Sequence, residues 1–165
     1  MSTHPWLAES SVLVVGQQAA RLPWLRAALD EVCGAWQVVD SADEALDVVA
    51  EDTVDAVLFG PRTPGLPALA AVRRLLENPR TADLPTYLVA PAPDVKLRDE
   101  ALLAGALDLL TPPDSRQVLV GQLTQAILRR LLARALREAD AAAHDLLARR
   151  EVMAALALGE VRGLL

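Results

Sequence analysis

The chain is 165 residues long, 53% apolar but only 3% aromatic, and carries a formal net charge of −6. That length suits one domain of about 100 to 150 residues with an extension; the charge excludes a general nucleic-acid binder, which needs clustered basic side chains, and no apolar run approaches the ~18 to 20 residues of a membrane span. Cys33 is the single cysteine, which excludes an internal disulfide or a cysteine-based metal site and reads as a small core residue of the first helix.

Residues 1–9 read as an N-terminal tail without the basic and apolar regions of a secretory signal, so a cytoplasmic location is expected. Ser11-Val12-Leu13-Val14-Val15 is a β-branched run ending at Gly16, the pattern of a buried parallel strand. Pro23 fits the first turn of a helix in which Leu22, Leu25, Leu29 and Val32 recur until Gly34. Trp36–Val39 predicts a second strand, and Ser41-Ala42-Asp43-Glu44 opens a helix carrying Ala45, Leu46, Val48 and Val49. Asp55–Phe59 predicts a third strand, running into Gly60 and the Pro64-Gly65 turn. Pro67 opens a helix with Leu69, Val72, Leu75 and Leu76 facing inward, ending near Asn78-Pro79. Thr86–Ala90 is a fourth strand broken by Pro91 and Pro93; a helix through Leu97, Ala101, Leu102 and Ala104 follows, and Gly105 ends it. Leu107–Leu110 is the fifth, closed by Pro112-Pro113. Strands alternating with helices imply right-handed βαβ units and a parallel sheet covered on both faces. In such a sheet ligands bind at the carboxyl ends of the strands, here Gly16, Gly60, Ala90 and Thr111.

Asp114 can cap a final helix, and from Ser115 to Leu158 there is no proline and only Gly121 as a weak point. About 44 residues at 1.5 Å each extend roughly 66 Å, more than the ~35 Å diameter of a domain of this size, so part of the helix is expected to project. Leu132, Leu136, Ala139, Ala143, Leu146, Met153 and Ala157 alternate at spacings of four and three, with Arg150 in the one polar slot. This heptad seam suits a coiled coil, most simply with a second copy of the chain. Arg129, Arg130, Arg134 and Arg137 read as a solvated face with local ion pairs to residues such as Glu138. Residues 1–113 carry a net −8 and 114–165 a net +2, so the two parts differ in character as well as shape. The expected division is a domain at 10–130 and a signalling and dimerisation helix at 131–165.

In their order and spacing, Val12–Val15, Ser41–Leu46, Asp55–Phe59 with Pro64-Gly65, Ala104-Gly105-Ala106 and Asp108–Thr111 with Pro113 resemble the receiver domain of two-component response regulators. The resemblance implies a flavodoxin-like (βα)5 doubly wound parallel sheet with strand order 2-1-3-4-5. It also implies a reaction that needs two acidic residues after the first strand and an aspartate after the third, holding Mg²⁺ through hard oxygen ligands. At those positions stand Gly16, Gln17 and Gly60. The hydroxyl residue falls on Ala90, the lysine on Pro112 and the switch aromatic on Leu109, so all six functional positions of the family are replaced. Asp55 is too early in its strand to serve, because sliding it to the tip would reverse the strand's faces.

The resemblance and its losses together imply a pseudo-receiver: no catalysis, no metal or other cofactor, and a phosphorylation-independent role in binding other two-component proteins. The expected contact face is the helix around Lys96–Leu103 with Leu109 and the helix after it. An alternative is a small-ligand sensor using the space left at Gly16, Gly60 and Ala90, although no glycine-rich phosphate cradle is present; another is phosphotransfer to an unusual acceptor. Ala157–Leu165 is similar to the segment before the phosphoacceptor histidine box in the dimerisation helix of sensor histidine kinases, which implies the amino-terminal regulatory part of a longer kinase. Neither His4 nor His144 has an evident catalytic partner.

Overall fold

A computed structural model describes residues 5–51 and 53–159. Five parallel strands, β1 (Ser11–Val15), β2 (Ala35–Val39), β3 (Ala56–Phe59), β4 (Thr86–Val89) and β5 (Asp108–Leu110), form one sheet in the order β2-β1-β3-β4-β5. This is the doubly wound arrangement expected from the sequence. Among the described residues six α-helices connect or follow them: α1 (Gln17–Ala20), α2 (Pro23–Val32), α3 (Ala42–Ala50), α4 (Ala68–Glu77), α5 (Val95–Ala104) and α6 (Arg116–Ala157).

Strand alternation divides the core between two layers. Leu13, Val15, Val57, Phe59, Leu88 and Leu109 pack with Ala45 and Val49 of α3, Val72 and Leu75 of α4, and Ala101 and Ala104 of α5. Val12, Val14, Leu58, Tyr87, Val89 and Leu110 are the alternate, buried positions of the same strands, and buried side chains of α2 and of the first turns of α6 (Leu119, Leu123, Ile127) supply the second layer. Each fully buried Leu, Val or Phe contributes about 1.5 to 3 kcal/mol relative to exposure, which lets the tertiary contacts dominate short helices of modest intrinsic stability.

Local signals set the helix ends. The Ser41 hydroxyl accepts from the Glu44 amide at 3.2 Å and the Glu44 carboxylate accepts from the Asp40 amide at 3.3 Å, a reciprocal start to α3. Asp94 caps α5 by accepting from the Leu97 amide at 3.0 Å. Gly105 closes α5 at φ +109, where a Cβ would lie 2.6 Å from the Leu76 Cδ2; only glycine fits there without strain.

Several elements depart from the sequence expectation. A short helix, α1, precedes Pro23 and was not anticipated. Pro5–Glu9, placed by sequence in a tail, form a 3-10 turn that buries Leu7. Asp55 is not part of β3; its buried carboxylate accepts from the Ser11 amide at 2.9 Å at the amino end of the strands. The last helix starts at Arg116 rather than directly after Asp114, with Ser115 ahead of it. Arg130 is not on a solvated face: it is 3% exposed and ion-paired with Asp83. Cys33 lies just past α2, buried, its Sγ donating to the Leu29 carbonyl at 3.2 Å.

The chain divides into two units between Arg130 and Leu131. α6 runs unbroken through Gly121 and across that boundary. In the second unit the seven seam residues Leu132, Leu136, Ala139, Ala143, Leu146, Met153 and Ala157 are all exposed, as are Leu147, Val152 and Leu156 outside the seam. His144 is exposed, with Nδ1 3.1 Å from the Asp140 carbonyl oxygen. His4 and the last six residues of the kinase-like segment lie outside the described residues.

Candidate functional site

The carboxyl ends of β1, β3 and β4 converge where a doubly wound sheet places its ligands. Gly16 leaves β1 at φ +100, donates to the Val39 carbonyl at 2.8 Å and accepts from the Ala20 amide at 3.3 Å. That bond begins the turn of α1, which carries Ala19 directly onto the end of β3. Gly60 donates to the Val15 carbonyl at 2.8 Å. A Cβ on Gly60 would meet that same carbonyl oxygen at 3.0 Å and the Ala19 methyl at 3.2 Å, and a Cβ on Gly16 would meet Thr63 Cγ2 at 3.0 Å.

The space expected at these two glycines is therefore crowded even for a methyl group, with Ala19, 1% exposed, against Gly60 and Thr63 against Gly16. The helical turn of α1 sets Ala19 and Ala20 inward over the strand ends, and both are buried. Gln17 is exposed and turned outward, its Nε2 donating to Asp40 Oδ1 at 2.8 Å. The donor set does not fit Mg²⁺, a hard cation that demands carboxylate oxygens: neither β1 nor β3 ends in a carboxylate, and among the described residues no three His, Cys, Asp or Glu side chains are grouped to hold a metal.

The other three sequence candidates are dispersed. Ala90 is buried and donates to the Leu110 carbonyl at 2.9 Å. Leu109 is buried in the layer with α3, α4 and α5. Pro112 is exposed after β5, in a shallow depression with Asp108, whose carboxylate is ion-paired with Arg98 at 2.9 Å and accepts from Gln122 at 3.5 Å. Asp55 lies at the opposite end of β3 from Gly60, about 16 Å away at ~3.3 Å per residue.

Beside the crowded site, a cleft of about 560 Å³ opens between the loops that follow β1, β3 and β4. Ala19, Leu22, Ala90 and Leu97 form its apolar floor, Pro61, Pro91 and Pro93 its walls, and Arg21 and Arg62 lie exposed along it. Of the six sequence candidates only Ala90 lines it. Pro91 and Pro93, which end the fourth strand in the sequence, are also walls of the cleft, but nothing in their spacing announces that Pro61 of the loop after β3 would meet them.

Around α5 and β5, Val95, Leu102, Leu103 and Leu107 are exposed, Leu103 to 86%. Asp43 holds the Pro64-Gly65 turn by accepting from the Leu66 amide at 3.2 Å.

No family model matches the chain. It is 30% identical over 105 residues to the cyclic di-GMP phosphodiesterase response regulator RpfG of Xanthomonas campestris pv. campestris, covering 62% of this chain and 28% of that protein. It is 30% identical over 145 residues to the C4-dicarboxylate transport transcriptional regulatory protein DctD of Pseudomonas aeruginosa, covering 86% of this chain and 31% of that one. The chain thus spans less than a third of the length of these curated relatives. The signal receiver domain of an HD domain-containing protein from Pseudomonas fluorescens superposes with a TM-score of 0.64 at 23% identity, covering 78% of this chain and 93% of that domain. The chain has the receiver fold and is homologous to response regulators.

Proposed function

We propose that this receiver-fold chain is a signalling module of two-component pathways that works by protein contact and self-association, without phosphoryl transfer. The observation that carries this reading is the approach of Ala19 to Gly60. The strand end where the family resemblance puts the acceptor aspartate bears a glycine, and the room for a side chain there is taken by a methyl group. Phosphoryl transfer needs a positioned carboxylate and its metal, and this arrangement offers neither.

The input arm of the proposal is the exposed apolar surface of Val95, Leu102 and Leu103 on α5 with Leu107 ahead of β5. The output arm is the seam from Leu132 to Ala157, whose 4-3 spacing suits a parallel pair with a second copy. A partner docking on the first surface would bias the pairing register of the second. The likeness of Ala157–Leu165 to a kinase dimerisation helix supports a place ahead of a histidine kinase core. The module itself carries no catalytic step in this proposal.

The test is incubation with acetyl phosphate or beryllofluoride in the presence of Mg²⁺. The expected result is no gain of a phosphoryl mass and no change in amide NMR shifts near Gly60. A stoichiometric, acid-stable phosphoryl adduct or an aspartyl phosphate would overturn it. Sedimentation should in parallel reveal a reversible dimer that depends on the seam.

A further inference from the structure

We infer that the cleft between the loops after β1, β3 and β4 is a binding site for a small amphipathic carboxylate, one with a compact apolar body and a single negative charge. The size is right: about 560 Å³ lies inside the roughly 300 to 1,000 Å³ of small-ligand sites. Its floor of Ala19, Leu22, Ala90 and Leu97 and its three proline walls offer almost nothing to hydroxyl groups. A sugar or nucleoside would leave its polar atoms without partners on that floor, at a cost of a few kcal/mol, whereas an alkyl chain or a phenyl ring loses nothing. Proline loops change shape little on binding, so little ordering entropy opposes the ligand.

The charge of the ligand follows from the polar groups along the cleft. They are two guanidiniums, Arg21 and Arg62, one carboxylate, Asp94, and the uncharged Gln18 amide at the rim. Asp94 is engaged as the cap of α5. Neither arginine has an ion pair among the described residues, unlike Arg98, Arg116, Arg130 and Arg149. Two unpaired arginines beside an apolar hollow, on a chain of net charge −6, are complementary to one anionic head, and the planar fork of arginine suits a carboxylate in particular. The single acidic group disfavours a dianion. The site is distinct from the crowded position at Gly60 and independent of whether the chain dimerises.

The test uses octanoate and phenylbutyrate as probes, with octanol as the neutral control and inorganic phosphate as the apolar-free anion, followed by calorimetry and by the amide NMR shifts of Ala92 and Leu97. Saturable binding of either carboxylate with shifts at those two amides is expected, tighter than octanol or phosphate. Arg21→Gln with Arg62→Gln should weaken the carboxylate by about tenfold, the size of one charge-assisted contact, while leaving octanol unchanged. Ala92→Trp should remove binding by filling the cleft. All three positions are exposed, and unchanged circular dichroism establishes that each variant folds. Absence of saturable binding by both carboxylates would overturn the inference, as would equal binding of octanol, equal binding of phosphate, or affinities indifferent to Ala92→Trp. Such a failure would leave the non-phosphorylated signalling role standing, because that role is read by phosphoryl adducts and sedimentation.

Discussion

Gly60 at the end of β3 and Ala19 in α1 lie so close that a Cβ on the glycine would sit 3.2 Å from the alanine methyl. The two residues are 41 positions apart in sequence, and their contact crowds the carboxyl end of β3. A side chain placed at position 60 would press on the Val15 carbonyl oxygen and the Ala19 methyl, so one or both must yield to admit it.

Gly60→Asp is accordingly expected to leave the chain unphosphorylatable and to destabilise it by about 1 to 3 kcal/mol, through overpacking against Val15 and Ala19 and through a carboxylate with no metal beside it. Urea denaturation reads the stability and mass spectrometry after acetyl phosphate reads the chemistry. Gain of a phosphoryl group by this single variant would show that the strand end is open.

The two glycines Gly105 and Gly121 should respond in opposite directions to alanine. At Gly105 the backbone sits at φ +109 and the added methyl meets Leu76, so the loss should be about 1 to 2 kcal/mol. At Gly121, inside α6 with nothing within 4 Å of a Cβ, alanine should add about 0.5 to 1 kcal/mol by narrowing the unfolded ensemble. Thermal midpoints measured side by side decide both.

Stability should fall on the alkaline side. Burial, with help from the nearby Asp108 and against the opposing Arg129, raises the Tyr87 phenol from 10.0 to about 12; burial, with Asp30, raises the Cys33 thiol from 9.0 to about 11. Both groups are held neutral in the fold and ionise earlier in the unfolded chain. Their contribution is complete below the unfolded values and is lost as pH climbs through the folded ones, by at most about 2 to 3 kcal/mol each. Tyr87→Phe should flatten the decline between 10.0 and about 12, and Cys33→Ala its earlier part. A decline of equal slope in both variants would assign it to other groups.

The proposed pairing of the second unit predicts that Leu136→Glu with Leu146→Glu yields a monomer by sedimentation, since buried charges at two seam positions oppose association. The same pair of changes should leave amide shifts of the first unit unmoved. Val152→Glu, off the seam, should leave the dimer intact.

Much of the fold was legible in the chain itself. The β-branched runs at Val12–Val15 and Val57–Phe59, the cap at Ser41 and the stop at Gly105 each carry their structure locally, because strand burial, side-chain capping and positive φ depend on residues a few positions apart. The absence of acidic residues at Gly16, Gln17 and Gly60 was equally plain. What could not be read was the fate of the space they left. Ala19 comes against Gly60, and Gly16 against Thr63, only in the folded chain, and no local propensity encodes a partner some 40 residues away. The burial of Arg130 against Asp83 is of the same kind: a cation next to Arg129 and four residues before Arg134 reads as solvent-facing until the fold brings a carboxylate to it. Composition and periodicity thus determined the alternation of strands and helices, and the family resemblance the order of the strands, while long-range packing alone decided that Ala19 lies against Gly60 and that a cleft, walled by prolines from separate loops, stands next to it.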